Sequence, residues 1–469
     1  MTPTTAVMQQ VATRPGLLRR VHWLQVSRVE VFAMVISLYG ALLFVPGVQP
    51  VRPFIRAIPF MASLAFLMLY FKRLARRKLP AGGLMVFIAL ILLALNMAHP
   101  MTAMVGGMAQ CAFQLSIAAP IFWADRAVRD EKQLRRLLWV IFLSNGLGAM
   151  VGLLQTYYPE YFMPSEFSSL ALSRNEAAIS SLTYVGAGGR EIIRPPGLSD
   201  IPGGAAVNGM MASLLGIALG LEWNQSRVRR LFCLAMAVIG MVTLYLTQVR
   251  SLFLMMLVAL FALCVLLIRQ GRGAQTTWLL SISVGLVAAS FFWAISIGGD
   301  QVFSRFLNLA EEGVVYSYQI HRGQFVEYTV SELLSKYPFG AGLGHWGMMA
   351  VYFGRYDGPS AELIHVEIQM TGWLLDGGVL MWMFYGGAVF AALWFAYRKA
   401  ATRLRPNLAY LAAIAFSFNL LIAGSAMAGP TFNTQLGMQF WLVTAALFGA
   451  AAKPKRMVEA PAKGWNEPH

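Results

Sequence analysis

Twelve apolar runs, most of them about twenty residues long, leave this chain very few possible folds. They fall at 30–46, 57–71, 81–98, 101–124, 137–157, 204–222, 231–248, 251–268, 276–297, 377–397, 406–427 and 435–452. A run of ~20 apolar residues spans bilayer hydrocarbon as a helix, because only internal hydrogen bonds satisfy a backbone that no water reaches. A soluble globule is excluded. Hydrophobic residues make up 58% of the chain and charged residues 12%, against the ~25% charged of ordinary soluble domains. The same balance excludes intrinsic disorder. The sequence therefore predicts an all-α, polytopic transmembrane helix bundle of about 12 spans.

The formal net charge is +16. In a soluble protein this would point to nucleic acid; in a membrane protein the positions of the charges decide. With the N-terminus placed in the cytoplasm, 27 of the 37 Lys and Arg residues fall on the cytoplasmic side, with clusters at 72–78, 126–136 and 398–405. That bias is the positive-inside pattern, and it predicts both termini inside. It needs no nucleic-acid partner. The expected layout is a basic cytoplasmic N-terminus (1–29), spans one to nine (30–297), a large external loop (298–376), three last spans (377–452) and a cytoplasmic tail (453–469). A second external segment, 158–203, interrupts the first nine spans. Residues 1–28 are polar and basic and the first apolar run is long enough to span, so no cleavable signal peptide is expected. Cys111, Cys233 and Cys264 each lie inside an apolar run and indicate neither a disulfide framework nor a metal site.

Ten basic residues remain on the external side. Arg52 and Arg56 read as interfacial anchors in a short loop. Arg174, Arg190, Arg194, Arg305, Arg322, Lys336 and Arg355 gather in the two long segments, where function concentrates on a rigid scaffold. Arg250 stands apart in the short turn Thr247-Gln248-Val249-Arg250-Ser251, at or just below the membrane surface. Charge at that depth is costly and marks function by default; the plain alternative is snorkelling to lipid phosphate.

Arg194 heads Arg194-Pro195-Pro196-Gly197-Leu198-Ser199-Asp200, with Arg190 four residues before it. Two prolines stiffen this stretch and Gly197 permits a close turn or ligand approach; the plain alternative is a surface loop. His321-Arg322 opens a stretch of helical periodicity that ends at Pro338-Phe339-Gly340. The bend Gly340-Ala341-Gly342-Leu343-Gly344-His345 lacks the Lys-Ser/Thr of a phosphate-binding P-loop. Glu362-Leu363-Ile364-His365 leads into the tenth span. His321, His345 and His365 thus share one external segment with Arg322 and Arg355. A lone histidine is otherwise a hydrogen-bonded packing residue, the ordinary reading for His345. Arginine forks match phosphate oxygens two at a time, and several over an apolar bundle suit a lipid-linked diphosphate. A nearby histidine can take the proton of an attacking hydroxyl near neutral pH. No His, Asp or Glu spacing suits a metal, so neither metal nor cofactor is expected.

These features resemble the O-antigen ligase and Wzy-type polymerase family of bacterial inner-membrane glycosyltransferases. The resemblance rests on four motifs in the family's order. They are Arg194-Pro195-Pro196-Gly197 before a span; Val249-Arg250-Ser251 at a span boundary; Lys336-Tyr337-Pro338-Phe339-Gly340-Ala341-Gly342-Leu343-Gly344 closing the large loop; and His365 followed by Asp376-Gly377-Gly378. The chain departs from the family at Val366, where Asn is usual, and at Val249, where a small polar residue is usual. The resemblance implies metal-independent, inverting transfer of a glycan from undecaprenyl diphosphate at the periplasmic face. The acceptor would be lipid A-core in a ligase or another lipid-linked repeat unit in a polymerase, serving lipopolysaccharide O-antigen or exopolysaccharide assembly. It implies Arg194, Arg250 and Arg322 on the diphosphate and His365 as the base on the acceptor hydroxyl, so that His365, Arg250 and Arg194 are the catalytic candidates; Arg190, His321 and His345, read from the residues themselves, complete the expected set around the diphosphate. The rival class is a flippase or transporter of lipid-linked sugars. Such proteins commonly carry repeated halves and broken midplane helices, and this sequence shows no internal repeat.

Overall fold

The computed structural model describes residues 26–71, 78–164, 167, 182–222, 225–353 and 368–452. Within these residues each apolar run contains an α-helix, the first only over Arg28–Leu38 before a tighter turn at Tyr39–Phe44. The helices are α1 (Arg28–Leu38), α2 (Arg52–Phe71), α3 (Gly83–Leu95), α4 (Met104–Ala118), α5 (Pro120–Ala127), α6 (Glu131–Tyr157), α7 (Ala205–Gly220), α8 (Arg227–Thr247) and α9 (Arg250–Arg269). They continue with α10 (Gly273–Glu312), α11 (Gln369–Ala400), α12 (Pro406–Ser425) and α13 (Gln435–Ala451). Eight helical stretches are long and apolar enough to cross a membrane, and three shorter apolar helices accompany them among the described residues. The chain is an all-α, multi-pass membrane bundle.

Local chemistry explains where the helices differ from the sequence reading. The fourth apolar run is divided into α4 and α5 at Pro120, whose ring nitrogen has no hydrogen to donate back to Ser116. The freed Ser116 carbonyl accepts instead from the buried Ser63 hydroxyl on α2, at 2.6 Å. Helix α10 runs well past its apolar stretch and turns at Gly299, where φ is +63°. Helix α11 starts before its apolar stretch and kinks at Gly377–Gly378. Segment 158–203 contributes something no periodicity announced: an antiparallel hairpin of β1 (Thr183–Val185) and β2 (Glu191–Ile193), with Thr183 opposite Ile193.

Burial sorts the helices into centre and perimeter. Helix α12 is 78% buried, whereas the Gly273–Asn308 stretch of α10 is 11% buried. Phe292, Val284 and Trp278 on α10 stay more than 60% exposed. A helix that is apolar all round and sits on the perimeter needs hydrocarbon outside it. The interior is closed by an aromatic cluster of Trp373, Tyr385, Phe432, Phe440 and Trp441, with Trp441 Nε1 donating to the Tyr385 hydroxyl at 3.1 Å.

Ion pairs join residues of the same charge-alternation set. Arg136 pairs with Glu30 at 2.9 Å, Arg135 with Glu222 at 2.7 Å and Arg405 with Glu131 at 2.8 Å, all in the set assigned to the basic side. In the other set Arg52 and Arg56 converge on Asp200, at 3.5 and 2.5 Å. The two sets therefore occupy different ends of the bundle.

Candidate active site

The loop that carries Arg194 is clamped from three directions. Its backbone N–H extends the hairpin ladder by donating to the Leu182 carbonyl at 3.0 Å, and its own carbonyl accepts from Gly203 at 3.0 Å. Gly197 adopts φ +65°, and a Cβ there would lie 3.1 Å from both Ala205 and Asn208. Helix α6 reaches in with the buried Gln155, which bonds both backbone groups of Gly197. Asp200 is held by Arg52 and Arg56, so these two arginines turn inward to the loop instead of anchoring at the lipid surface; Arg52 is only 5% exposed.

The second wall is the turn between α8 and α9. Gln248 caps α8 in the left-handed region, φ +57°, the only such non-glycine residue among those described. That conformation strains an L-residue. It closes the chain tightly: Gln248 N–H donates to Tyr245 at 2.9 Å, and the Gln248 carbonyl accepts from Arg250 at 3.2 Å. Arg250 becomes the first residue of α9.

The third wall is the end of α10. At Gly299 the helix lies against the hairpin turn, where an added Cβ would meet Ala187 at 3.1 Å. Beyond the kink Gln301, Ser304, Arg305 and Asn308 follow at i, i+3, i+4 and i+7, one face of a helix. That face, together with Thr183, Tyr184, Arg194 and Gln248, lines a polar cavity of about 480 Å³.

Two positive charges, Arg194 and Arg305, line this cavity, and Arg250 lies nearby outside its lining. Arg305 feels both Arg194 and Arg250 electrostatically. Among the described residues no carboxylate pairs with any of the three. Burial draws the Arg194 guanidinium below its ordinary value; an arginine so placed still keeps its charge. Burial pushes the Tyr184 phenol up, which keeps it a protonated donor. Arg194 Nε, Arg305 Nε, Gln248 Nε2 and the Tyr184 hydroxyl are all buried without a hydrogen-bond partner. Unmade bonds at buried polar groups cost free energy, and four around one acid-free cavity mark a place for an acceptor-rich anion. Next to it lies an apolar groove of about 580 Å³ between α8, α9 and α10, lined by Tyr245, Phe253, Leu257, Val287, Phe291 and Phe306. The successive residues Arg305 and Phe306 line one and the other.

The glycine-rich bend serves a different end. Gly340, Gly342 and Gly344 all have positive φ, and the bend threads between α4 and the kink of α11. Leu343 N–H donates to Thr102 Oγ1 at 3.0 Å, Gly344 N–H to Gln110 Oε1 at 2.8 Å and Ala341 N–H to the Leu375 carbonyl at 2.8 Å. Trp346 Nε1 donates to Asp376 Oδ1 at 2.8 Å. His345 is 8% exposed, with Nε2 2.7 Å from the Met101 carbonyl, and burial pulls its imidazole below the ordinary value. This is a hydrogen-bonded packing position.

The other sequence candidates are dispersed. Arg190 is exposed beside the hairpin turn, and its carbonyl accepts from Gly186 at 2.7 Å. Arg322 lies on the helical run 314–336, close to Tyr318, whose hydroxyl donates to the Met427 carbonyl at 3.2 Å. It does not line the cavity. His365, Arg174 and Arg355 are outside the described residues, as is the side chain of His321. Arg305 and Gln248 are the residues that sequence reasoning passed over. Their signals were the polar face at 301, 304, 305 and 308, and an amide beside an arginine in a turn too short for other work. No protein-family model matches this chain, and no curated protein matches it.

Proposed function

We propose that this chain is a membrane glycosyltransferase of the O-antigen ligase and polymerase type. It moves a glycan from undecaprenyl diphosphate to a sugar hydroxyl, on lipid A-core or on another lipid-linked repeat unit. On this reading the chain crosses the bacterial inner membrane twelve times with both termini cytoplasmic, and its site faces the periplasm. The observation that carries the proposal is a cavity lined by Arg194 and Arg305, with Arg250 near enough to act on Arg305 and no described carboxylate paired with any of them, beside an apolar groove. An amphiphile with a multiply charged head and a long hydrocarbon tail fits both parts.

The chemistry follows from the charges. The acceptor oxygen attacks the anomeric carbon, the bond from that carbon to the diphosphate oxygen breaks, and configuration inverts. Negative charge grows on the departing diphosphate, and guanidinium groups already in place stabilise it without reorganising; one such donor is worth ~3–4 kcal/mol of barrier. The acceptor proton passes to a base, the role proposed for His365, worth ~10²–10⁴-fold. The test is purified chain in liposomes supplied with lipid-linked donor and acceptor. A new glycosidic bond is expected; movement of donor across the bilayer without bond formation would replace this reading with a flippase.

A further inference from the structure

The cavity beside Arg194 is chemically two-sided. Its charged side can serve a diphosphate, whose oxygens at neutral pH only accept hydrogen bonds. Its other side is neutral: Gln301, Ser304 and Asn308 on the post-kink face of α10, with Thr183 of the hairpin among the same lining residues. Each of these side chains offers an acceptor oxygen as well as a donor. Phosphate oxygens offer no donor to the carboxamide oxygens of Gln301 and Asn308. A ligand that fills both sides must itself carry O–H or N–H donors next to its anionic group.

The fold holds this neutral wall in place. The Gly299 turn sets the last part of α10 against the hairpin, with Gly299 packed on Ala187 and Gly298 near the Tyr184 ring. Arg305 sits within the same helical face, between Ser304 and Asn308. Gln301 and Asn308 therefore stand about one helical turn to either side of Arg305, so neutral groups flank the charge. A cavity of about 480 Å³ falls in the size range of small-molecule sites.

We propose that Gln301, Ser304, Asn308 and Thr183 form the subsite for the first sugar of the donor, the ring bonded directly to the diphosphate. This rests on the diphosphate reading of the arginine cluster and adds where specificity for the reducing-end sugar is set. Gln301 and Asn308 bond ring hydroxyls or an acetamido group, while Arg194 and Arg305 hold the phosphates.

The experiment compares two probes on the full chain in nanodiscs: polyprenyl diphosphate alone, and polyprenyl diphosphate carrying one N-acetylhexosamine. Gln301→Ala and Asn308→Ala are expected to weaken the sugar-bearing probe about tenfold and leave the bare lipid within about twofold. Arg194→Ala is expected to weaken both. Equal losses for the two probes in the Gln301 and Asn308 variants, or no loss for either, would overturn the sugar subsite while the arginine result stands. If Arg194→Ala and Arg305→Ala also bind both probes as the parent does, the diphosphate reading itself falls. Unchanged unfolding midpoints, expected at exposed Gln301 and Asn308, separate lost contact from lost folding.

Discussion

Gln155 holds Gly197 by both of its backbone groups: its amide nitrogen donates to the Gly197 carbonyl at 2.9 Å and its amide oxygen accepts from the Gly197 N–H at 2.8 Å. A side chain on α6 thereby sets the turn that presents Arg194. Gln155→Leu leaves two buried backbone groups without partners, at ~1–3 kcal/mol each. The expected outcome is a lower unfolding midpoint together with weaker diphosphate binding. Gly197→Ala should act in the same direction, through a left-handed φ and contacts at 3.1 Å. Normal stability in both variants would show that the loop does not depend on this clamp.

Arg250 and Arg305 differ in visibility but not in expected effect. Replacing either by Ala should lower glycan transfer by ~10²–10³-fold, the usual loss for one preorganised donor. Lys keeps the charge and loses the two-pronged geometry, so it should recover only part of the rate. Initial rates in liposomes under saturating donor measure this. Full activity in Arg305→Ala would remove it from the site.

Gln248 combines a strained backbone with a buried, partnerless amide nitrogen. Gln248→Gly releases the left-handed strain, which costs an L-residue ~1–2 kcal/mol, and removes the donor. Stability is expected to stay within ~1 kcal/mol of the parent while diphosphate affinity falls about tenfold. A large stability loss with unchanged affinity would assign Gln248 to packing alone.

Trp346 and Gly372 test the clamp at the kink of α11. Trp346→Phe takes the Nε1 donor from buried Asp376, at ~1–3 kcal/mol. Gly372→Ala drives a methyl into the Trp346 ring, and overpacking of this kind costs ~1–3 kcal/mol or more. Thermal unfolding of both variants should show the larger loss for Gly372→Ala, because the buried Trp346 ring is held by its bond to Asp376 and must be displaced.

His345 predicts a pH dependence of stability. Burial holds its folded-state value below the ordinary one, with the neighbouring His99 acting in the same direction. The unfolded chain then binds the proton more tightly, so stability is full above the unfolded value, ~6.5, and is lost as pH falls through it. The unfolding midpoint should drop between pH ~7.5 and ~5.5, and less steeply in His345→Gln. Parallel slopes for parent and variant would show that other groups carry the effect.

Hydropathy located the helices because a bilayer accepts almost nothing else: twenty apolar residues have one way to satisfy their backbone there. The bends at Pro120, Gly299 and Gly377–Gly378 were not read from the apolar runs, because hydropathy counts side chains and is blind to a missing N–H or a missing Cβ. The motif arginines Arg194 and Arg250 stood out as charges beside apolar runs. Tertiary structure alone decided which charges meet. Arg305 is one of ten basic residues outside the seven clusters expected on the cytoplasmic side, and it shares a cavity with Arg194 because Gly299 lays α10 on a hairpin of two three-residue strands, too short to announce a period. His345 and Arg52 carry the same side-chain chemistry as site residues, yet packing gives them a Met101 carbonyl and an Asp200 carboxylate as partners. A sequence specifies charge and periodicity residue by residue, whereas whether a charge is left unpaired depends on contacts made by parts of the chain a hundred residues away.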